Sequence, residues 1–183
     1  LVGILGYPLA AVREAVRHAG ASGWLDVIPK RGVQVLEARA EAIRDTLDAR
    51  MVLDQEGARR RIQTGALDGL QALREHHQTL LAEAMGPASD PELSARAIAI
   101  DLSLHDYLAE GLENPLLRAA YEANRVRMAI FQRVRPFVQE RIKSAMQEHL
   151  AVIDALERRD AGAAVDAVAY HCDRTQHWWG VPA

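Results

Sequence analysis

A single cysteine, Cys172, is present, so no internal disulfide can form, and a reducing, cytoplasmic compartment is expected. No run of about 18 apolar residues occurs, which excludes a membrane-spanning helix and a membrane partner. No basic-then-apolar leader opens the chain. Positive charge is not in excess: 22 Lys and Arg against 25 Asp and Glu give −3, so any nucleic-acid surface has to be local. A nucleophile motif, a phosphate loop and a glycine-rich fingerprint are all missing, since Gly3 and Gly6 precede no strand–loop–helix unit. What is present is 183 residues, 49% hydrophobic and 26% charged, the balance of a globular domain with a small module attached.

Two textures divide the chain. Residues 1–37 hold five of the twelve glycines and two prolines, whereas residues 38–183 are dominated by Ala, Leu, Glu and Arg, which favour helix. The opening Leu1-Val2-Gly3-Ile4-Leu5-Gly6 reads as the end of a helix, and a chain truncated there is expected. Gly6-Tyr7-Pro8 makes a turn into a helix whose apolar stripe is Val12, Ala15, Val16 and Ala19. Residues 24–28 and 32–36 are predicted strands, joined by Pro29-Lys30-Arg31-Gly32 as a basic-tipped hairpin.

Six helices are expected behind this module, at about 39–62, 66–85, 90–111, 114–135, 138–158 and 161–178. Asp90-Pro91 and Asn114-Pro115 each place a capping side chain before a proline at the first helical position. Pro136 is expected to end or kink the fourth, and Asp160 to cap the sixth. The fold class is therefore mainly α: a helix and β-hairpin, then an antiparallel all-helical bundle.

Three of the seven histidines stand out on this map. Asp101 and His105 are four apart and share one helix face. His149 and His171 lie on the last two helices, each about eleven residues from the turn between them, roughly 16 Å at the helical rise. In an antiparallel hairpin the two imidazoles reach the same height. Three imidazoles and a carboxylate are ligands for a divalent transition metal, with zinc first and nickel, manganese or iron as alternatives. A lone histidine on an amphipathic helix is more often a surface residue, so spacing alone leaves a ligand role and an ordinary one level. His76 and His77, in the polar stretch Glu75-His76-His77-Gln78, are expected to be solvated, His18 to lie at the surface, and His177, six residues after His171, to point away from it. Cys172 reads as a core residue, and Trp178 and Trp179 as packing for the chain end. Arg50 on the first bundle helix and Arg125 or Arg127 on the fourth are candidates to bind a small carboxylate beside the metal, or to form surface salt bridges.

The segments Leu5-Gly6, Ala11-Val12-Arg13-Glu14-Ala15-Val16, Gly23-Trp24-Leu25 and Pro29-Lys30-Arg31-Gly32-Val33-Gln34-Val35 resemble, in order and spacing, the second half of the GntR winged helix-turn-helix. Past the wing, Arg50…Asp54, Asp101-x-x-x-His105, Asn114-Pro115, Glu148-His149 and His171 resemble the FadR-type C-terminal effector domain, FCD. The resemblance implies a partial DNA-binding domain over residues 1–37 and a metal- and effector-binding domain over 38–183. It implies that Asp101, His105, His149 and His171 are the metal ligands, and Asn114 joins the effector candidates. Asp54 replaces a glutamate, Leu104 a common phenylalanine, and the stretch between His105 and His149 is a few residues short for the family.

The larger departure is at Pro8-Leu9-Ala10-Ala11, where the family has Ser-Arg-Thr-Pro; Leu9 cannot make the arginine's contacts to base or phosphate. Ala19-Gly20 replaces Leu-Glu and should weaken the helix end. Arg13, Arg17 and His18 on the helix and Lys30 and Arg31 on the wing are left as DNA-contact candidates. The expected function is a non-enzymatic transcription regulator, a homodimer on operator DNA, whose bound metal and a small organic acid modulate binding. The alternatives are a metal-dependent enzyme acting on a small carboxylate, or a sensor with a degenerate DNA head.

Overall fold

A computed structural model describes residues 2–87, 92–135 and 137–182. The elements run α1 (Val2–Leu5), α2 (Leu9–Ala21), β1 (Leu25–Ile28), β2 (Gly32–Val35), α3 (Ala40–Thr64), α4 (Leu70–Met85), α5 (Leu93–Ala109), α6 (Pro115–Val134), α7 (Gln139–Glu157) and α8 (Ala161–Trp178). The chain is mainly helical, with one antiparallel hairpin in the register Leu25↔Val35 to Ile28↔Gly32. Lys30 and Gly32 at its tip adopt positive φ, 63° and 113°, which lets four residues reverse the chain.

Local chemistry sets most helix ends. The Asn114 carboxamide oxygen accepts from the Leu116 and Leu117 backbone N–H groups, and Pro115 follows at the first helical position. Asp160 accepts from the Ala163 N–H, and α8 covers the expected span. The second bundle helix starts four residues later than expected, at Leu70, because Gly65 and Gly69 both take left-handed backbone, φ 74° and 81°. The Asp90-Pro91 start signal and Pro136 lie outside the described residues; α5 is helical from Leu93, and α6 ends at Val134.

In the bundle, α7 and α8 form an antiparallel pair, α3 lies along α8 and α4 along α7, and α5 crosses between α3 and α7. The central core joins Leu104, Leu108, Val152, Ile153, Leu156 and Val168 from α5, α7 and α8. Cys172 packs there too, and burial pushes its thiol pKa up. Two glycines permit the tightest crossing: a Cβ on Gly57 of α3 would sit 2.2 Å from the Leu108 carbonyl oxygen, and one on Gly111 would sit 2.6 Å from the Gly57 oxygen. Trp179 packs edge-to-face on Phe131 beside Ile43, Leu47 and Met128, closing one end, while Trp178 stays partly exposed.

The N-terminal module is sparsely packed. On α2 only Val12 is fully buried, Val16 and Ala19 of the expected stripe are half-buried and Ala15 is exposed, as are Ile4 and Leu9. It is tied to α6 by Trp24, whose indole N–H donates to the Ala123 carbonyl at 3.1 Å, and by Arg127, which donates to the Gly23 carbonyl at 3.2 Å. Arg127 Nε also donates to the Thr46 hydroxyl on α3, at 3.0 Å.

Candidate metal centre

Asp101, His105, His149 and His171 are all buried, and one ligand atom from each lies within 4.8 Å of the others. Helices α5, α7 and α8 contribute them. The one-turn spacing of Asp101 and His105 puts both on the inner face of α5, and the α7–α8 hairpin brings the Nε2 atoms of His149 and His171 to 3.3 Å. His149 Nε2 also lies 3.4 Å from Asp101 Oδ1.

The surroundings fix which ring nitrogens point inward. His171 Nδ1 donates to Glu148 Oε2 at 2.8 Å, and Glu148 accepts from Arg141 Nη1 at 2.7 and 2.9 Å. Arg141 also donates to the Thr175 hydroxyl, which in turn donates to the His171 carbonyl. His105 Nδ1 lies 2.6 Å from Asp54 Oδ2 and 3.0 Å from Arg50 Nε; in the tautomer that leaves Nε2 bare, Nδ1 donates to Asp54 and the Arg50 contact is not a hydrogen bond. His105 Nε2 is then a buried atom with no hydrogen-bond partner. Imidazole nitrogens turned toward one another beside a carboxylate are a donor arrangement that a divalent cation binds. Two nitrogens bound tetrahedrally to zinc at about 2.05 Å sit roughly 3.3 Å apart, the separation of the His149 and His171 Nε2 atoms. The residues thus fit a divalent metal.

Electrostatics agree with this donor set. Burial holds the His105 and His149 pKa values well below the ordinary range, so both imidazoles are neutral lone-pair donors. Burial raises the Asp101 pKa, but His105 and Arg50 outweigh it and keep the group a carboxylate. Burial pushes Asp54 up to about 7 against the pull of Arg50.

The effector candidates separate. Arg50 is buried beside the cluster, 3.5 Å from Asp54 and 3.6 Å from Asp101. The structure does not bring the other three there. Asn114 is committed as the α6 cap, Arg125 pairs with Asp106 at 2.6 Å, and Arg127 is held by Thr46 and Gly23. Among the DNA candidates, Arg13, Arg17, His18, Lys30 and Arg31 are all exposed; Arg17 pairs with Glu14, and His18 stands edge-on to Trp24.

Sequence reasoning missed several residues around the cluster. His77 is buried, not solvated: its Nε2 lies 3.1 Å from His149 Nδ1 and its Nδ1 2.7 Å from the Leu73 carbonyl. The signal was the stripe Leu70, Leu73, His77, Leu80 and Ala84, in which His77 takes a core position. Gln132, which donates to Asp101 Oδ2 at 3.0 Å, and Arg141 carried no comparable signal.

A small cavity of about 10 Å³, enough for one water, adjoins the cluster. Arg50, Asp101, Gln132, His171, Phe137 and Trp179 are among the residues that line it. Arg50 Nη2, 3.6 Å from Asp101 Oδ2, and Gln132 Oε1 are buried and make no hydrogen bond among the described residues.

An all-helical domain with an interior Asp/His₃ group is the class that fold and site define. The FCD domain family matches residues 45–174, and the chain belongs to that family. No curated protein sequence matches significantly. Among solved structures, the chain shares its fold with E. coli McbR/YncC, with a TM-score of 0.74 and 16% identity over 98% of this chain and 83% of that one. Streptococcus agalactiae GntR gives a TM-score of 0.57 and 18% identity over 96% and 85%. A GntR-family transcriptional regulator from Pseudomonas syringae pv. tomato gives 0.56 and 20% over 97% and 71%.

Proposed function

We propose that the protein is a GntR-type transcription regulator whose helical domain senses a small carboxylate through a bound divalent metal. The observation that carries the sensing half is the cavity beside the cluster. The buried Arg50 Nη2 makes no hydrogen bond among the described residues and lies 3.6 Å from Asp101, so it can donate to an anionic acceptor in the cavity, and the Gln132 oxygen, also without a hydrogen bond, can accept. A metal held by Asp101, His105, His149 and His171 supplies a Lewis-acidic centre for the same ligand, and zinc is the first choice for this donor set. Catalysis is not favoured. Each further carboxylate near the group is engaged, Glu148 by Arg141 and His171 and Asp54 by His105, which leaves neither free as a general base.

Residues 1–37 are read as the DNA-binding module and 38–183 as the sensor. Arg13 on α2 and Lys30 and Arg31 on the hairpin are exposed for phosphate contact, and a homodimer would present two such modules to a two-fold operator. A metabolite larger than one water requires lining side chains, Phe137 and Trp179 among them, to shift, so binding would select a different packing of this end. Helix α6 links the two halves: Gln132 meets Asp101 at the cluster, while Ala123 and Arg127 hold the module.

The test is fluorescence anisotropy of the zinc-loaded protein on DNA from upstream of its own coding sequence, with citrate, malate and succinate in turn. At least one carboxylate should shift the affinity severalfold, and Arg50→Ala should abolish the shift. Binding indifferent to zinc, to chelator and to every carboxylate defeats the sensing half. Titrations insensitive to salt defeat the DNA half, since phosphate contacts release counterions.

A further inference from the structure

We propose that His77 is a positioning residue for the metal group, holding His149 in the one tautomer whose Nε2 lone pair faces Asp101, His105 and His171. The inference rests on the reading of that group as a metal centre. The Leu73 oxygen can only accept, and it lies 2.7 Å from His77 Nδ1, so that nitrogen carries a proton. The ring is fully buried and its hydrogen-bond partners among the described residues are this carbonyl and His149, with no carboxylate to pair a charge, so it stays neutral and its Nε2 is a lone-pair acceptor. That Nε2 is 3.1 Å from His149 Nδ1, which must therefore be the donor. A neutral His149 with a proton on Nδ1 has its lone pair on Nε2, the atom 3.3 Å from His171 Nε2 and 3.4 Å from Asp101.

Both rings are fully buried, so no water can replace this partner. The three histidines of the group are thus oriented by three different devices. His105 uses Asp54, His171 uses the Arg141-held Glu148, and His149 uses a second imidazole fixed to a helix carbonyl. Three carboxylates, Asp54, Asp101 and Glu148, already face only two arginines, Arg50 and Arg141. A neutral acceptor behind His149 orients it without burying a fourth negative charge.

A role as mere core filler, which the α4 stripe also allows, makes opposite predictions. If His77 only fills space, Leu should serve at 77 and Gln should not. If it positions His149, Gln should serve, because its side-chain oxygen offers an acceptor at similar reach.

The experiment has two arms. Long-range ¹H–¹⁵N NMR of the metal-free wild type should show His149 protonated on Nδ1 and bare on Nε2. Competition titrations with a chromophoric chelator should then show zinc affinity 10–100-fold weaker in His77→Leu, with His77→Gln within threefold of wild type. A His149 protonated on Nε2 overturns the proposal, as does a His77→Leu variant that binds zinc like wild type or a His77→Gln variant as weak as it. The NMR arm needs no variant and decides the assignment even if His77→Leu does not fold. A wild type that binds no zinc defeats the metal reading alone, since the tautomer is read without metal.

Discussion

The Nε2 atoms of His149 and His171 face each other at 3.3 Å, and each ring donates its Nδ1 proton away from the other, to His77 and to Glu148. A divalent cation between two neutral imidazoles replaces this single nitrogen–nitrogen contact with two coordinate bonds. Metal binding should therefore stabilise the fold strongly. At a thousandfold excess over Kd a bound ion contributes about 4 kcal/mol. Chelation should lower the Tm of the zinc-loaded protein, and His171→Ala should abolish that response in differential scanning calorimetry. An equal Tm drop on chelation in His171→Ala would count against the group as the metal's site.

The α3–α5 crossing is limited by Gly57. A methyl group there would overlap the Leu108 carbonyl oxygen, and backbone cannot rotate aside as a side chain can. Gly57→Ala should cost about 1–3 kcal/mol, the usual range for overpacking, read as a lower urea midpoint at unchanged m-value. A stability equal to wild type would show that the helices separate freely.

The N-terminal module hangs on few bonds, and the Trp24 indole is one of them. Trp24→Phe keeps most of the ring but removes the donor, at about 1 kcal/mol for a lost hydrogen bond. Hydrogen exchange of the β1 and β2 amides should speed up while α7 and α8 stay unchanged. Uniform acceleration across the bundle would mean the two parts unfold as one.

Asp106 sits between Tyr121 and Arg125. Burial pushes its carboxyl pKa up, but hydrogen bonds from Arg125 and Tyr121 outweigh this and leave it below the ordinary value. A depressed carboxylate contributes stability above its unfolded pKa, about 3.9, and loses it as pH falls through the folded value. Asp106→Asn should be less stable than wild type at pH 6, with the gap narrowing as pH falls below about 3.9. A gap that widens in acid would reverse the sign and refute this assignment.

Lys30 and Arg31 lie at the hairpin tip, exposed and away from the bundle. If they contact phosphates, replacing each with Ala should reduce the slope of log K against log salt by about one. Loss of affinity at constant slope would assign them to something other than phosphate.

Much of the site was legible in the chain. The four-residue spacing of Asp101 and His105 survives into the structure as one helix face. The equal distance of His149 and His171 from the Asp160 turn survives as a 3.3 Å approach. The resemblance to the FCD domain rests on those positions, and the family match spans them. His77 was misread because its immediate neighbours, Glu75, His76 and Gln78, are polar and exposed, while the stripe that buries it runs over four turns of α4. Arg125 and Arg127 lie on the expected helix, yet their partners, Asp106 and Gly23, are 19 and 104 residues away. No local pattern distinguishes them from Arg50.

By itself the sequence determined what depends on neighbours within a turn or two: the Asn114 and Asp160 caps, the basic hairpin tip, the helix spans of α6 to α8 and the register of the ligand residues. These are set by backbone hydrogen bonding and helical periodicity, which a few adjacent side chains control. Only the tertiary structure decided which groups stand behind each histidine, which arginine reaches the cavity, and where Gly57 must be bare. Those depend on which helix faces which. That choice is made by packing of the whole core, because a buried polar atom is satisfied by whatever the fold brings within about 3 Å.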